Sequence, residues 1–404
     1  MKKGKRALLI ILLVLVLLVV GFFGWLYIPR LMPVKAEQHR EAWKTNDPFV
    51  FVHGLSGWGS YDAQYKAMPY WGMLNGDLMA YLNSRGYACY AASVAPSGSA
   101  WDRACELYAQ LTGTRVDYGA AHSAAMGHER YGADFTGRSL IPAWSAEKKI
   151  SLLGHSFGGA TVRMLVSLLA KGDEEEQAAT APEELSGLFA GGKADWVRAV
   201  ITLAAPHNGT SAYHADNEVQ VPWLDEKMSG LMSSGLKAER DGRSEKDYAA
   251  WDMHIDHALA LNDSFALPEN IYYFSYACTA TRQNADGTWS PDRSRMEYFY
   301  RKDSEKIGHY TGVTEGGFVI DETWQENDGL VNTVSAAAPM GQPSQSFDAE
   351  NIRPGIWNIM PVYEGDHMAL QGGLLKRRDV RGFYTELLDR INSIINNSNF
   401  PHRK

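Results

Sequence analysis

A serine set among closely spaced glycines, directly after a short apolar run, is the feature that most constrains how this chain folds. The run 150–153 leads into Gly154-His155-Ser156-Phe157-Gly158-Gly159, and residues 160–169 continue as an apolar helical pattern. A sharp turn from strand to helix exposes a serine hydroxyl where a base can reach it. Flanking glycines let strand and helix approach closely and tolerate strained backbone at the serine. The motif therefore predicts Ser156 as a nucleophile.

Further apolar runs alternate with helical patterns along the rest of the chain. The predicted strands are 49–52, 88–94, 149–153, 197–203, 271–275 and 356–362. Strands separated by helices favour a mostly parallel sheet with helices on both faces. We predict one α/β domain with a sheet of about six or more strands, closed by an amphipathic helix over 381–395.

Charge and cysteine content argue against a nucleic-acid-binding protein and against a fold stabilised by a disulfide framework. The chain of 404 residues has a net charge of −8 and no stripe of basic and aromatic residues, so we do not expect a nucleic-acid partner. Its three cysteines, Cys89, Cys105 and Cys278, cannot all pair. We predict buried free thiols, with a single disulfide bridge as the alternative.

The N-terminus has the pattern of a membrane anchor. Residues 1–6 are basic, and residues 7–28 carry no charge, which as a helix is about 33 Å long and enough for a bilayer core. We predict a cytoplasmic segment 1–6, a transmembrane signal-anchor 7–29, a linker 30–46, and a catalytic domain 47–404 on the extracellular face of the cell membrane. A cleaved signal peptide, which makes the protein secreted, is the alternative.

Two residues downstream of the serine suit the base and the acid that a serine nucleophile needs. Asp328 lies in Glu326-Asn327-Asp328-Gly329, just before an apolar segment, and His367 follows the run 359–362. Loops at the carboxyl ends of parallel strands gather at one edge of a sheet. The residues Ser156, Asp328 and His367 therefore predict a nucleophile, an acid that orients the base, and the base.

The segment after the first predicted strand suits the binding of a negatively charged oxygen. The run 50–52 ends in His53-Gly54-Leu55, where a loop can present the main-chain amide of Leu55. The second donor is the amide of Phe157, immediately after the nucleophile. Main-chain amides aimed at one point stabilise the oxyanion of an acyl-transfer intermediate.

A longer pattern resembles the thermoalkalophilic zinc-containing lipases of Gram-positive bacteria, with the staphylococcal lipases as relatives. Its most specific part is SAWDRACELYAQL at 99–111, which continues to His128, and 48–59, 204–210 and 327–332 are also similar. The similarity covers roughly 48–392. It implies an α/β-hydrolase fold, in which acid and base follow the serine in chain order as here. It also implies a triacylglycerol lipase or carboxylesterase.

The resemblance implies a structural zinc site apart from the catalytic residues. The family's ligands fall on Asp102, His122 and His128, and a distant aspartate is best matched by Asp252. Two imidazoles and two carboxylates complete a tetrahedral Zn²⁺ shell with no open position. Other carboxylates and imidazoles compete for these places, namely Asp117, Asp256, His254 and His257.

Family members also bind calcium through acidic residues shortly after the catalytic histidine. Here no carboxylate occurs between His367 and Asp379, and Ca²⁺ needs six to eight oxygen ligands. We therefore do not predict this calcium site in the present chain.

The apolar helical pattern within 219–236 predicts a lid that opens at a lipid interface, with an ordinary core-facing helix as the alternative.

The sequence thus favours serine-dependent hydrolysis of lipid carboxylic esters. A phospholipase or a cell-envelope esterase is the alternative within enzymes. A non-catalytic surface-displayed binding protein of the same fold is the alternative outside them, and the intact set Ser156, Asp328 and His367 argues against it.

Overall fold

The computed structural model describes residues 2–27, 47–215 and 243–398. The strands are β1 Phe49–Val52, β2 Cys89–Ala92, β3 Arg115–Asp117, β4 Tyr131–Asp134, β5 Ile150–His155, β6 Val197–Leu203, β7 Tyr272–Tyr276, β8 Cys278–Thr279, β9 Thr281–Gln283, β10 Trp289–Pro291, β11 Gly312–Val313, β12 Val319–Ile320, β13 Ser344–Ser346, β14 Trp357–Ile359 and β15 Tyr363–Glu364. The α-helices are α1 Lys2–Tyr27, α2 Leu78–Ser84, α3 Ala100–Thr112, α4 Ala120–Met126, α5 Gly158–Lys171, α6 Glu174–Ala179, α7 Ala212–Ala215, α8 Ala249–Asp252, α9 Ile255–Ser264, α10 Arg301–Gly308, α11 Thr333–Ala337 and α12 Arg381–Ser398.

A seven-stranded parallel sheet forms the centre of the molecule, in the order β13-β14-β7-β6-β5-β1-β2. Six of its strands coincide with the predicted apolar runs, so the predicted α/β class and parallel sheet are confirmed. The seventh, β13, has the polar sequence Ser-Gln-Ser and pairs only with β14 at the edge. An edge strand with no apolar face leaves no hydrophobic signal in the sequence.

Helices cover both faces of this sheet. In β1, Val50 and Val52 pack into the core that includes α3 and α5, whereas Phe49 and Phe51 pack into the core that includes α2 and α12. Successive strand residues point to opposite faces, so a strand buried on both sides is apolar throughout. The predicted closing helix is α12, which buries Tyr384, Leu387, Leu388 and Ile391, the spacing of one helical face.

The first helix corrects the prediction for the N-terminus. α1 includes the basic residues and ends at Tyr27; its side chains are described for Arg6 and for 10–21. No helix in the described part of the chain is long and apolar enough to cross a membrane. The predicted anchor over 7–29, and the placement of the protein at the cell membrane, are therefore wrong; the linker 30–46 lies outside the described residues.

The three cysteines are free and buried, as predicted. Burial raises the pKa of the Cys89, Cys105 and Cys278 thiols well above the usual value, because a thiolate is poorly solvated in an apolar surrounding. These thiols are therefore unreactive core residues.

Candidate active site and metal-binding group

Ser156 lies in the turn between β5 and α5, with a φ of 55°. This left-handed backbone is strained for a residue with a side chain, and the neighbouring glycines make room for it. A Cβ on Gly154 would lie 2.4 Å from the Gly158 carbonyl oxygen, and one on Gly158 would lie 2.4 Å from that of Val52. The turn is therefore too tight for side chains at these two positions, and it holds Ser156 at the carboxyl edge of the sheet.

The three residues predicted for nucleophile, acid and base lie in one chain of hydrogen bonds. The Ser156 hydroxyl donates to His367 Nε2 at 2.8 Å, and His367 Nδ1 donates to Asp328 Oδ2 at 2.8 Å. All three residues are buried, with 7%, 5% and 1% of their surface exposed for Ser156, His367 and Asp328. A carboxylate at Nδ1 leaves the lone pair at Nε2 facing the serine proton, as a general base requires.

The loop around Asp328 fixes the carboxylate before it meets the histidine. Its Oδ1 accepts hydrogen bonds from the main-chain N–H groups of Leu330 and Val331 at 3.0 and 2.8 Å. Its carbonyl oxygen accepts one from the His367 N–H at 2.9 Å. The side chain and the main chain of Asp328 thus both hold His367, which restricts the orientation of the imidazole.

The two predicted oxyanion donors lie beside the serine. Gly54 approaches Ser156 so closely that a Cβ on it would lie 2.7 Å from the Ser156 Cβ, which brings the following residue, Leu55, to the mouth of the turn. Within the described residues, neither the Leu55 nor the Phe157 amide has a hydrogen-bond acceptor. Such amides are available for an oxyanion.

A buried arginine supports the loop that carries Leu55. Arg103 from α3 donates to the carbonyl oxygens of His53 and Gly54. His53 donates from Nδ1 to the Gly54 oxygen at 2.9 Å and accepts at Nε2 from the Val94 N–H at 3.2 Å. Burial, and then the Arg103 charge, lower the pKa of His53 to about 3, so this imidazole is neutral. Arg103 adjoins Asp102 in the most specific sequence motif, but no pattern in the sequence predicts its role.

A second buried histidine supports the base. His155 Nε2 donates to the His367 carbonyl oxygen at 2.8 Å. Its Nδ1 accepts from the Tyr70 hydroxyl at 2.8 Å and from the Gln371 amide at 2.9 Å. The Tyr70 oxygen also accepts from the Gly54 N–H at 3.0 Å. These hydrogen bonds connect the loop at Gly54 with His367. Residue 155 is a variable position of the glycine-serine motif, so the motif does not predict this connection.

A second group of polar side chains can hold a metal ion. It consists of Asp102, His122, His128 and Asp247, whose ligand atoms all lie within 4.8 Å of one another. His122 Nε2 lies 3.2 Å from an Asp102 oxygen and 3.3 Å from an Asp247 oxygen, and His128 Nε2 lies 3.2 Å from Asp247. The structure thus brings together three of the four predicted ligands.

The fourth member of this group is Asp247 and not the predicted Asp252. Asp252 accepts a hydrogen bond from the Ala100 N–H at 2.7 Å, so its carboxylate is bound to the first turn of α3. Asp247 instead accepts from the Ser99 hydroxyl at 2.7 Å and turns toward the histidines. Asp247 follows the charge-rich stretch 237–246, which carries no spacing signal for a ligand.

The donor set fits a cation, and the surroundings of one atom support this fit. His128 Nδ1 donates to the Glu129 carbonyl oxygen at 2.9 Å, so Nε2 presents a lone pair toward the Asp247 carboxylate. That Nε2 is buried and has no hydrogen-bond partner. The Arg243 guanidinium contacts Asp102 and Asp247, but it brings no donor to His128. An ion bound by imidazole and carboxylate removes the repulsion between the two lone pairs.

The competing carboxylates and histidines lie elsewhere. Asp117 pairs with Arg130 through two contacts of 2.9 Å, and Asp256 accepts from Gly316 N–H at 2.8 Å. His254 and His257 lie next to each other, with ring centres 5.7 Å apart. None of these four belongs to the metal-binding group.

The residues around His367 do not fit a calcium ion. The neighbouring buried carboxylates are Asp366 and Glu297, and both already accept main-chain N–H donors. Among the described residues, the one group of acidic, histidine or cysteine side chains with metal-binding geometry is that of Asp102. The predicted lid, 219–236, lies outside the described residues.

A family model described as "Lipase-like, C-terminal domain" matches residues 45–233 and 238–398. Lipase 2 of Staphylococcus aureus is 32% identical over 399 residues, 90% of this chain and 56% of that protein. The lipase of Staphylococcus hyicus is 33% identical over 404 residues, 91% of this chain and 58% of that protein. The chain therefore spans little more than half the length of these curated relatives.

Solved structures match over nearly the whole of both chains. EstA from Clostridium botulinum has a TM-score of 0.77 at 30% identity, covering 90% of this chain and 92% of that chain. The Staphylococcus hyicus lipase has a TM-score of 0.76 at 29% identity, covering 90% and 100%. Lipase 1 from Pelosinus fermentans has a TM-score of 0.71 at 34% identity, covering 86% and 98%.

Proposed function

Because this chain belongs to the lipase-like family, as its resemblance to the staphylococcal lipases indicated, we propose that it hydrolyses carboxylic esters of lipids through an acyl-enzyme on Ser156. The single observation that carries this proposal is the pair of 2.8 Å hydrogen bonds from Ser156 to His367 and from His367 to Asp328. A serine in this chain of contacts can lose its proton during attack on an ester carbonyl.

The proposed reaction has two halves. His367 Nε2 takes the Ser156 proton while Oγ attacks the carbonyl carbon, and Asp328 stabilises the imidazolium without accepting its proton. His367 then protonates the leaving alcohol oxygen as the tetrahedral intermediate collapses to the ester of Ser156. Water enters, gives a proton to His367 and attacks the acyl carbon, and the second collapse releases the acid and returns the proton to Ser156.

The proposed oxyanion hole consists of the Leu55 and Phe157 amides. Both amides lack an acceptor within the described part of the chain, and a tetrahedral oxyanion supplies one. Each such donor in a preorganised site contributes about 3–4 kcal/mol to stabilising the transition state. The buried Arg103 and His53 hold the carbonyl oxygens on the opposite side of this loop, which keeps the Leu55 amide from turning away.

The test is the variant Ser156→Ala, assayed with a p-nitrophenyl ester and with a fluorophosphonate probe. Loss of the hydroxyl is expected to abolish turnover and labelling, while the circular dichroism spectrum and metal content stay as in the unaltered protein. Turnover that persists in Ser156→Ala contradicts the assignment. Comparison of triglyceride, phospholipid and short-chain ester hydrolysis by one preparation then identifies the preferred ester among the lipase, phospholipase and esterase alternatives.

We also propose that Asp102, His122, His128 and Asp247 hold a structural Zn²⁺ ion. Two imidazoles and two carboxylates suit zinc, and four protein ligands leave no position for a substrate. When bound, the ion joins α3, α4 and the segment before α8, and it supplies no step of ester hydrolysis. The unpartnered His128 Nε2 is the observation that supports it.

A further inference from the structure

A buried carboxylate beside the catalytic residues has no part in the proposed chemistry. Glu297 is 1% exposed, and its Oε1 accepts three successive main-chain N–H groups, from Leu374, Leu375 and Lys376, at 2.9, 2.7 and 2.8 Å. Amides that converge on one oxygen form an anion-binding nest. A buried carboxylate is tolerated because such donors replace its water. Glu297 therefore fixes the chain at 374–376.

The same residue holds the chain immediately before the base. The Glu297 N–H donates to Asp366 Oδ2 at 2.7 Å, and Asp366 adjoins His367. We call residues 366–376 the His367 loop. Its middle is closed by a hydrogen bond of 3.0 Å from the Gly373 N–H to the Met368 carbonyl oxygen. Glu297 thus binds the first and the last residues of the His367 loop, one through its main chain and the other through its side chain.

Arg378 adds a second connection between the same segments. Its guanidinium donates to the Glu364 carbonyl oxygen at 2.9 Å and to the Arg295 carbonyl oxygen at 3.2 Å. Its own N–H donates to the Gly372 carbonyl oxygen at 2.7 Å. The segment 295–297 is therefore bound to the chain on both sides of His367, and each of these contacts is made by groups of the protein itself.

We propose that Glu297 is a positioning residue for the base His367, and that its carboxylate makes the His367 loop independent of calcium. The proposal rests on the proposed function, in which His367 takes the Ser156 proton. An ion near this histidine stabilises a loop by gathering several oxygens. Here one carboxylate gathers several N–H groups instead, so the loop is held by the opposite arrangement of charges.

The first experiment compares Glu297→Gln with the control Glu305→Gln, using a soluble p-nitrophenyl ester. Glutamine keeps the size of the side chain but loses the charge that strengthens three hydrogen bonds. We expect kcat to fall about 10- to 100-fold with KM within about twofold, because a small displacement of a catalytic group has an effect of this size. Fluorophosphonate labelling of Ser156 slows in parallel. Glu305 is 51% exposed on α10, and Glu305→Gln retains the original kcat.

A second pair of variants tests the same contact if Glu297→Gln fails to fold. Leu375 is 70% exposed, so Leu375→Ala removes little packing and keeps the N–H. Leu375→Pro removes that N–H from the Glu297 carboxylate. We expect a lower kcat in Leu375→Pro alone, with KM unchanged.

The independence from calcium is tested with the unaltered protein. Chelator-treated protein, with its zinc content measured, is assayed before and after addition of CaCl₂, and kcat and melting temperature are expected to stay the same. Restoration of kcat by Ca²⁺, or full kcat in both Glu297→Gln and Leu375→Pro, overturns the inference. A different result contradicts the proposed function, namely that the unaltered protein neither hydrolyses the ester nor reacts with the probe.

Discussion

The proposed catalytic residues and the metal-binding group both combine buried acids with buried or half-buried histidines, yet the contacts of their histidines differ. In the first, both His367 ring nitrogens have a protein partner at 2.8 Å. In the second, His128 Nε2 is buried without one. The proposed catalytic set therefore has all its contacts within the protein, whereas a proton or a metal ion would balance the lone pair of His128 in the metal-binding group.

The pKa values of the histidines also differ between the two sites. The imidazoles that support the catalytic loops are neutral, because burial lowers the pKa of His53 to about 3 and that of His155 well below its usual value. In the metal-binding group, burial opposes the charged form of His122, but the hydrogen bonds and charges of Asp102 and Asp247 outweigh it and raise the pKa to about 9. The group attracts positive charge, in the form of a proton or of a metal ion.

The largest effect is expected from Asp328→Asn. An asparagine at this place presents its N–H₂ group to His367 Nδ1, which moves the ring proton to Nε2 and leaves no lone pair for the serine. We expect kcat to fall about 10⁴-fold with little change in melting temperature, measured on a soluble ester. Asp286→Asn, at an exposed hairpin residue, is the matched control. A fall in kcat of less than tenfold in Asp328→Asn contradicts the proposed dependence of His367 on the Asp328 carboxylate.

The next largest effect is expected from Asp247→Asn, in contrast to Asp252→Asn. Asp247→Asn removes a member of the metal-binding group and leaves the other charges unbalanced, which costs about 3–5 kcal/mol for a buried charged pair. We expect the purified variant to lose stoichiometric zinc and to melt at a lower temperature. Asp252→Asn keeps the contact with the Ala100 N–H and retains zinc. Both are measured by metal analysis and thermal unfolding.

Other patterns of metal content would contradict the proposed site. Zinc absent from the unaltered protein contradicts the proposed structural ion, and zinc lost only in Asp252→Asn contradicts the position of the group. In either Asp247→Asn or zinc-depleted protein below its melting temperature, kcat is expected to stay within about threefold, because the ion takes no part in the reaction.

The proximity of Ser156, Asp328 and His367, the proposed catalytic set, could be predicted because local patterns place their loops. Ser156 lies in a strand–turn–helix motif, and His367 follows a strand, so the parallel sheet alone brings their loops to one edge. The central strands were predicted because both of their faces are buried and their apolar runs are continuous. The order of the strands, and the polar edge strand β13, depend on contacts between distant segments, which no local pattern records.

The metal-binding group was predicted only in part for the same reason. Asp102, His122 and His128 occur within one motif, whereas the fourth ligand comes from a segment more than a hundred positions later in the chain. Asp247 and Asp252 both accept hydrogen bonds from the start of α3, from the Ser99 hydroxyl and the Ala100 N–H, so no local pattern tells which carboxylate faces the histidines. Glu297 carries no motif at all, and its role depends on three main-chain groups.

The smallest expected effect concerns the neutral histidine under the oxyanion loop. The pKa of His53 is about 3 in the folded protein against an ordinary 6.5, because burial and then Arg103 oppose its protonation. Below pH 6.5 the unfolded chain binds a proton that the folded protein does not. This group therefore makes the free energy of unfolding fall as the pH is lowered from 6.5 toward 3, by up to about 1.4 kcal/mol per pH unit.

The variant His53→Gln tests this pH dependence, because glutamine keeps an acceptor for the Val94 N–H and cannot titrate. Between pH 6.5 and 5, urea unfolding of the unaltered protein is therefore expected to lose about 2 kcal/mol more than that of His53→Gln. Equal pH slopes in the two proteins contradict a neutral His53, and with it the contrast between uncharged catalytic supports and a charged metal-binding group.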